Sequence, residues 1–130
     1  GNSLKQELLP RLLVANAFML SMPGVPCVFY PHWAKYKGFL KNMIDARKLA
    51  GVHSESEVKD EYFDENGYQA TIVGKDGFLI LCLGNKAHAS GFDGFTLMSS
   101  YYAENDCNIS ITGNGFKLSF QEPLLRYVSE

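Results

Sequence analysis

The chain has 130 residues, 46% of them hydrophobic and 20% charged, a composition that suits about one globular domain and gives no ground for wholesale disorder. Twelve Lys and Arg against 14 Asp and Glu leave a net charge of −2, so there is no cationic field to hold a phosphate backbone and no nucleic-acid partner is expected. The three cysteines, Cys27, Cys82 and Cys107, are odd in number and widely separated, which argues against a disulfide framework and leaves cytoplasmic, periplasmic and secreted locations all open.

Ser3 and Gln6 have capping-box spacing, which predicts a helical turn that Pro10 interrupts. A stronger helix is predicted from Pro10 or Arg11 through residues 12–20. It is apolar on nearly all sides and therefore needs more than one neighbour. Residues 12–34 contain no Asp, Glu, Lys or Arg, a run as long as a membrane-spanning helix. Pro23-Gly24-Val25-Pro26 in its middle breaks a helix, so two buried elements joined by a tight turn are expected, with no membrane span. No secretory signal is visible.

Residues 25–30 form a short continuous apolar run, the pattern of a strand covered on both faces. The periodic stretch with Phe39, Leu40, Met43, Ile44, Arg47 and Leu49 predicts a helix. It ends in Arg47-Lys48, basic residues near its negative dipole end, with Gly51 as the stop. Helix, buried strand, helix is a unit of a parallel sheet or barrel, yet it supplies one strand only.

Beyond Gly51 the pattern changes. Short strands are predicted at residues 58–63, 68–73, 78–83, 95–99, 108–112, 116–120 and 124–128. Asn66-Gly67, Lys75-Asp76-Gly77 and Asn114-Gly115 mark hairpin turns. The expectation is an antiparallel β-sandwich, Greek-key-like, with the boundary near residues 53–57, so that residues 1–55 and 56–130 form two parts of an α+β chain.

The run Met22 to Trp33, with Pro23-Gly24-x-Pro26-x-Val28-Phe29-Tyr30, resembles the eighth barrel strand and its flanks in the α-amylase family of glycoside hydrolases, glycoside hydrolase family 13. Ile44-Asp45-Ala46-Arg47-Lys48-Leu49-Ala50-Gly51 is similar to that family's last barrel helix, and the β-rich remainder to its carboxy-terminal domain. The resemblance covers about residues 8–60 well, and beyond them rests on domain order and length. It implies the final helix-strand-helix of a (β/α)8 barrel followed by a C-terminal β domain. It also implies a retaining glycosidase acting on α-glucosidic bonds of starch or maltooligosaccharides. That chemistry needs two carboxylates about 5 Å apart. In the family these acids lie on earlier strands, so this chain supplies no catalytic residue and is expected to be inactive by itself. Asp45, Glu55, Glu57, Asp60 and Glu61 read as a solvated face.

Tyr30, His32 and Trp33 follow the carboxyl end of the implied eighth strand, the face on which barrel enzymes build their sites. They are the substrate-binding candidates: an aromatic ring stacks on a sugar face while His32 donates to a hydroxyl. The competing reading is that these rings close the core. Pro31 stands where the family commonly has Asp or Gly. No metal-ligand spacing occurs, so no cofactor is assigned to this chain, and calcium is expected only in the full-length enzyme. The other functional readings are a carbohydrate-binding module using Tyr101, Tyr102, Phe92, Phe95 and Trp33, or a purely structural β domain. With only one barrel strand present, exposed edges and helix faces are expected to drive either packing of the helices onto the β part or self-association caused by truncation, the latter favoured.

Overall fold

The computed structural model describes residues 2–24, 33–88, 91–102 and 115–122. Two helices, α1 (Asn2–Ser21) and α2 (Trp33–Ala50), precede the strands β1 (Glu57–Asp64), β2 (Gly67–Val73) and β3 (Phe78–Leu83). A 3-10 turn (Gly84–His88), β4 (Thr96–Tyr102) and β5 (Gly115–Gln121) follow. The expected strands at residues 25–30, 108–112 and 124–128 lie outside the described residues.

The first helix is one continuous element, which corrects the break expected at Pro10. Proline removes one backbone donor, but the residues before it keep helical geometry when the turns after it are held. Those turns are held here: Leu13, Ala17 and Leu20 are fully buried on one stripe. The second helix buries Leu40, Met43, Ala46, Arg47 and Ala50 and leaves Lys41, Asn42, Lys48 and Leu49 in solvent. That division is the 3.6-residue periodicity of its sequence made physical. No helix of the described residues is long and apolar enough to cross a membrane.

The described strands form one five-stranded antiparallel sheet in the order β1-β2-β3-β5-β4, where two facing sheets were expected. Register aligns the inward side chains into rows: Tyr68 with Leu83 and Phe116, Ala70 with Leu81 and Leu118, Ile72 with Leu79 and Phe120. The two helices cover this face of the sheet. One cluster joins Leu13, Ala17, Leu20, Leu40 and Met43 to Ile72, Leu81, Phe116 and Leu118, so residues on both sides of position 55 share a core. A smaller cluster on the opposite face packs Ile80, Cys82 and Ala87 under Phe92, Phe95 and Tyr102.

The end of α2 fixes the sheet's position. Val52 N–H bonds Arg47 O and Gly51 N–H bonds Lys48 O, with Gly51 at φ 70, which is a Schellman closure. The β2–β3 turn then seats on the same helix end. Lys75 N–H donates to Gly51 O at 3.1 Å and Asp76 N–H to Ala50 O at 2.9 Å. Two helix-terminal carbonyls are thereby satisfied by a hairpin. Gly74 makes that approach feasible, because a Cβ there would lie 1.9 Å from Ala50 O. A Cβ on Gly38, inside α2, would meet nothing within 4 Å.

Gly74→Ala is therefore expected to destabilise the fold by about 3 kcal/mol, whereas Gly38→Ala is expected to stabilise it by about 0.5–1 kcal/mol. Urea unfolding of the two variants checks both signs.

Candidate functional site

The segment that carries the sequence candidates begins where α1 ends, and its first residues are held by a side chain from α2. Arg47 Nη1 donates to Leu20 O at 2.9 Å and to Met22 O at 2.7 Å, and Nη2 donates to Gly24 O at 2.7 Å. The carbonyls of Leu20 and Met22 lie at the negative end of the α1 dipole and just past it, so a buried cation is in place there. Among the described residues no carboxylate pairs with Arg47. Burial lowers its pKa from the ordinary arginine value. This role was missed in the sequence, where Arg47 reads as a basic helix end. The signal was present: residues 40, 43 and 47 share one helix face, and that face is buried.

Trp33 is the first residue of α2. Tyr30 and His32 lie outside the described residues, as do Cys27, Cys107 and the Asn108-Ile109-Ser110 glycosylation pattern. The five carboxylates set aside in the sequence fall on two stretches, α2 and the connector together with β1. Asp45 pairs with Lys41 at 3.2 Å along α2, while Glu55, Glu57, Asp60 and Glu61 are exposed on the connector and on β1. Glu61 accepts a hydrogen bond from the Tyr68 hydroxyl, whose pKa is raised first by burial and then by that carboxylate. Among the described residues no three His, Cys, Asp or Glu side chains converge as a metal site.

The aromatic residues considered as sugar platforms are largely committed to packing. Consecutive residues Tyr101 and Tyr102 serve opposite faces of the sheet, as strand alternation requires. Tyr101 packs edge-on against Phe39 at 5.9 Å. The Tyr102 hydroxyl donates to Asn85 Oδ1 at 2.8 Å. Phe92 packs edge-on against Phe95, and the Lys117 ammonium sits 5.1 Å from the Phe92 centroid.

Cys82 is buried and unoxidised beneath this layer. Burial pushes its thiol up to about 11 from 9.0, with Lys117 and Lys86 pulling weakly the other way. A thiol in this state is a small hydrophobe and a poor nucleophile.

No protein-family model matches the chain. Curated relatives do match it in part. It is 36% identical over 63 residues to probable alpha-amylase 2 of Arabidopsis thaliana, covering 45% of this chain and 15% of that protein. It is 31% identical over 67 residues to the alpha-amylase type B isozyme of Hordeum vulgare, covering 50% of this chain and 44% of that protein. It is 32% identical over 72 residues to the glucan 1,4-alpha-maltotetraohydrolase of Stutzerimonas stutzeri, covering 53% of this chain and 13% of that enzyme. The chain thus spans between 13% and 44% of these relatives' length, and its homology to α-amylase-like enzymes is distant and partial.

Arg47→Met is expected to cost about 3 kcal/mol, because the carbonyls of Leu20, Met22 and Gly24 lose their shared donor. Arg47→Lys should recover only part of this, since one ammonium cannot reproduce a planar fork. Denaturant midpoints for the two variants test the order. Cys82 gives a second expectation, with its sign fixed by linkage. The folded thiol holds its proton above the pH at which the unfolded one ionises, so its contribution is full below about pH 9 and lost by about pH 11. Unfolding free energy should fall by about 2 kcal/mol across that window, and less steeply in Cys82→Ala.

Proposed function

We propose that this chain is the carboxy-terminal portion of an α-amylase-like retaining glycosidase acting on α-glucosidic bonds of starch or maltooligosaccharides. In this reading residues 1–55 are the terminal segment of a (β/α)8 catalytic barrel and residues 56–130 the antiparallel β C-terminal domain. The reading is carried by the partial match to amylases and a maltotetraohydrolase over 63 to 72 residues. The order of elements supports it: an apolar helix, Pro23-Gly24, and a second helix ending at Gly51 before the strands begin.

The division of labour follows from the side chains. Hydrolysis at an anomeric carbon needs one carboxylate to attack and another to protonate the leaving oxygen, at close range. In this reading the catalytic carboxylates and any calcium belong to the rest of the protein, in keeping with the exposed positions of Glu55, Glu57, Asp60 and Glu61. Tyr30, His32 and Trp33 contribute substrate contacts at the carboxyl end of the eighth strand. Arg47 acts as a positioning residue by holding Met22 and Gly24, where that segment starts. The β part is structural and covers the two helices. The commitment of Tyr101, Tyr102 and Phe92 to packing favours this over a sugar-binding module.

Purified chain is expected to release no sugar from starch or from an activated maltoside. The reading frame ahead of Gly1 should encode barrel strands that bear an Asp, a Glu and a second Asp. A natural gene without them would overturn the glycosidase assignment. Turnover by this chain that is lost on changing one of its own acids would overturn the division of labour.

A further inference from the structure

We propose that the outer face of β1 and β2, centred on Tyr62, is a binding platform for a neutral α-glucan chain. Tyr62 and Lys59 on β1 pair with Gln69 and Thr71 on β2. These four stand on the face turned away from the helices, because the alternate residues Tyr68, Ala70 and Ile72 enter the core shared with α1 and α2. From Lys59 to Tyr62 β1 advances three positions while β2 advances two, from Thr71 to Gln69. The extra residue is a bulge, and it keeps both β1 side chains on the same face. Further elements of a longer protein that pack on the helices would leave this face open.

Tyr62 is 56% exposed, and among the described residues neither its ring nor its hydroxyl has a partner. That separates it from Tyr101, Tyr102, Phe92 and Phe95, which are held by rings, a cation or a hydrogen bond. Its cross-strand neighbour Gln69 accepts the Cys82 thiol through Oε1 at 3.9 Å, which leaves the amide nitrogen to donate elsewhere. The half-buried Thr71 hydroxyl makes no hydrogen bond among the described residues. Directly opposed side chains start about 5 Å apart and diagonal ones about 7–8 Å apart, so ring, amide and hydroxyl fall within the span of a disaccharide.

An apolar ring beside neutral donors and acceptors is the chemistry that meets a pyranose, whose C–H face is apolar and whose rim is hydroxyl. Charge narrows the class. Residues 55–65 hold Glu55, Glu57, Asp60, Glu61, Asp64 and Glu65 against Lys59 alone, a field that repels a polyanion. The Lys59 ammonium is itself drawn over the Phe78 ring, 5.5 Å from its centroid. A single ring takes a single glucose face, which suits a curved α-1,4 chain that turns its next residues away; a flat β-1,4 chain asks for a row of rings. The choice of glucose rests on the proposed function, whereas the platform is made of this chain's own side chains and needs no catalytic carboxylate.

Affinity electrophoresis of the 130-residue chain through native gels containing amylopectin tests the platform, with hydroxyethylcellulose gels for comparison. The expected result is retardation by amylopectin with a dissociation constant that rises about tenfold or more in Tyr62→Ala and is kept in Tyr62→Trp. Phe63→Ala should leave it unchanged, because that ring pairs with Tyr68 on the helix side of the sheet. Hydroxyethylcellulose should not retard the chain. Tyr62 is exposed, so its variants keep the fold, and denaturant midpoints verify this; Gln69→Ala, with weaker retardation expected, reads the same face if Tyr62→Ala does not fold. No retardation by amylopectin, retardation indifferent to the Tyr62 and Gln69 variants in folded protein, or equal retardation by hydroxyethylcellulose overturns the proposal. The reading frame ahead of Gly1 decides the glycosidase assignment separately, so either can fail while the other stands.

Discussion

Arg47 is the point on which the arrangement depends, because one guanidinium satisfies three carbonyls that the end of α1 leaves open. A buried cation without a carboxylate is costly unless dipoles replace its water. Here the replacement is the carboxyl end of a helix plus two carbonyls of the chain leaving it, all of the right sign. The bond spans 23 to 27 positions in sequence, so it fixes the angle at which the two helices meet. One turn later the same helix receives the β2–β3 hairpin at Ala50 and Gly51. Helix α2 therefore holds α1 through a side chain and the sheet through its terminal carbonyls.

The sheet sorts its residues by face, and that sorting bears on function. Rows built from Tyr68, Ala70 and Ile72 with their partners on β3 and β5 meet the helices, so these positions are fixed by packing. On the other face, Phe92, Phe95 and Tyr102 roof Ile80 and Cys82, with Lys117 buried beside them. A ring that already has a cation or another ring against it is poorly placed to stack on a sugar as well. Ser99 ties β4 to the helix layer by donating to Phe39 O at 3.3 Å.

The strands at 57–64, 67–73, 78–83 and 115–121 were legible because their turns are chemically explicit and their alternation is simple. Asp64, for instance, accepts the Asn66 amide and pairs with Lys86, which lowers its pKa and pins the Asn66-Gly67 turn. What was not legible depends on tertiary packing. Pro10 signals a break locally, and the continuity of α1 comes from residues 13–20 anchored on a sheet far along the chain. Arg47 looks like dipole decoration until the face it occupies is seen to be buried. That α1 and α2 cover the dry face of the described sheet was not legible, because alternation shows that a strand has one wet face but not whether helices or strands cover the dry one. Of the candidate site, the sequence supplied the segment and its neighbouring helices, and of the five carboxylates read as a solvated face, Glu55, Glu57, Asp60 and Glu61 stand in exposed positions of the connector and β1.

The helix-covered sheet and the proposed barrel place different demands on α1, and its surface has room for both. Residues 12–20 are apolar on nearly every side; Leu13, Ala17 and Leu20 are fully buried in the shared core and Leu12 and Val14 are partly packed against it. Phe18 and Met19 remain 42% and 37% exposed on other sides. Phe18 lies edge-on to Tyr68 at 6.0 Å, and Tyr68 is near the 73% exposed Phe63, so the uncovered residues form a continuous border rather than isolated points. Burying a large apolar side chain is worth about 1.5–3 kcal/mol, so leaving several in water is a substantial forgone gain for one small domain. A longer protein whose preceding elements lie against that border would recover it without disturbing the core shared by the helices and the sheet. In the proposed barrel the sheet would support one side of the helix pair, and the preceding barrel elements would close against the other.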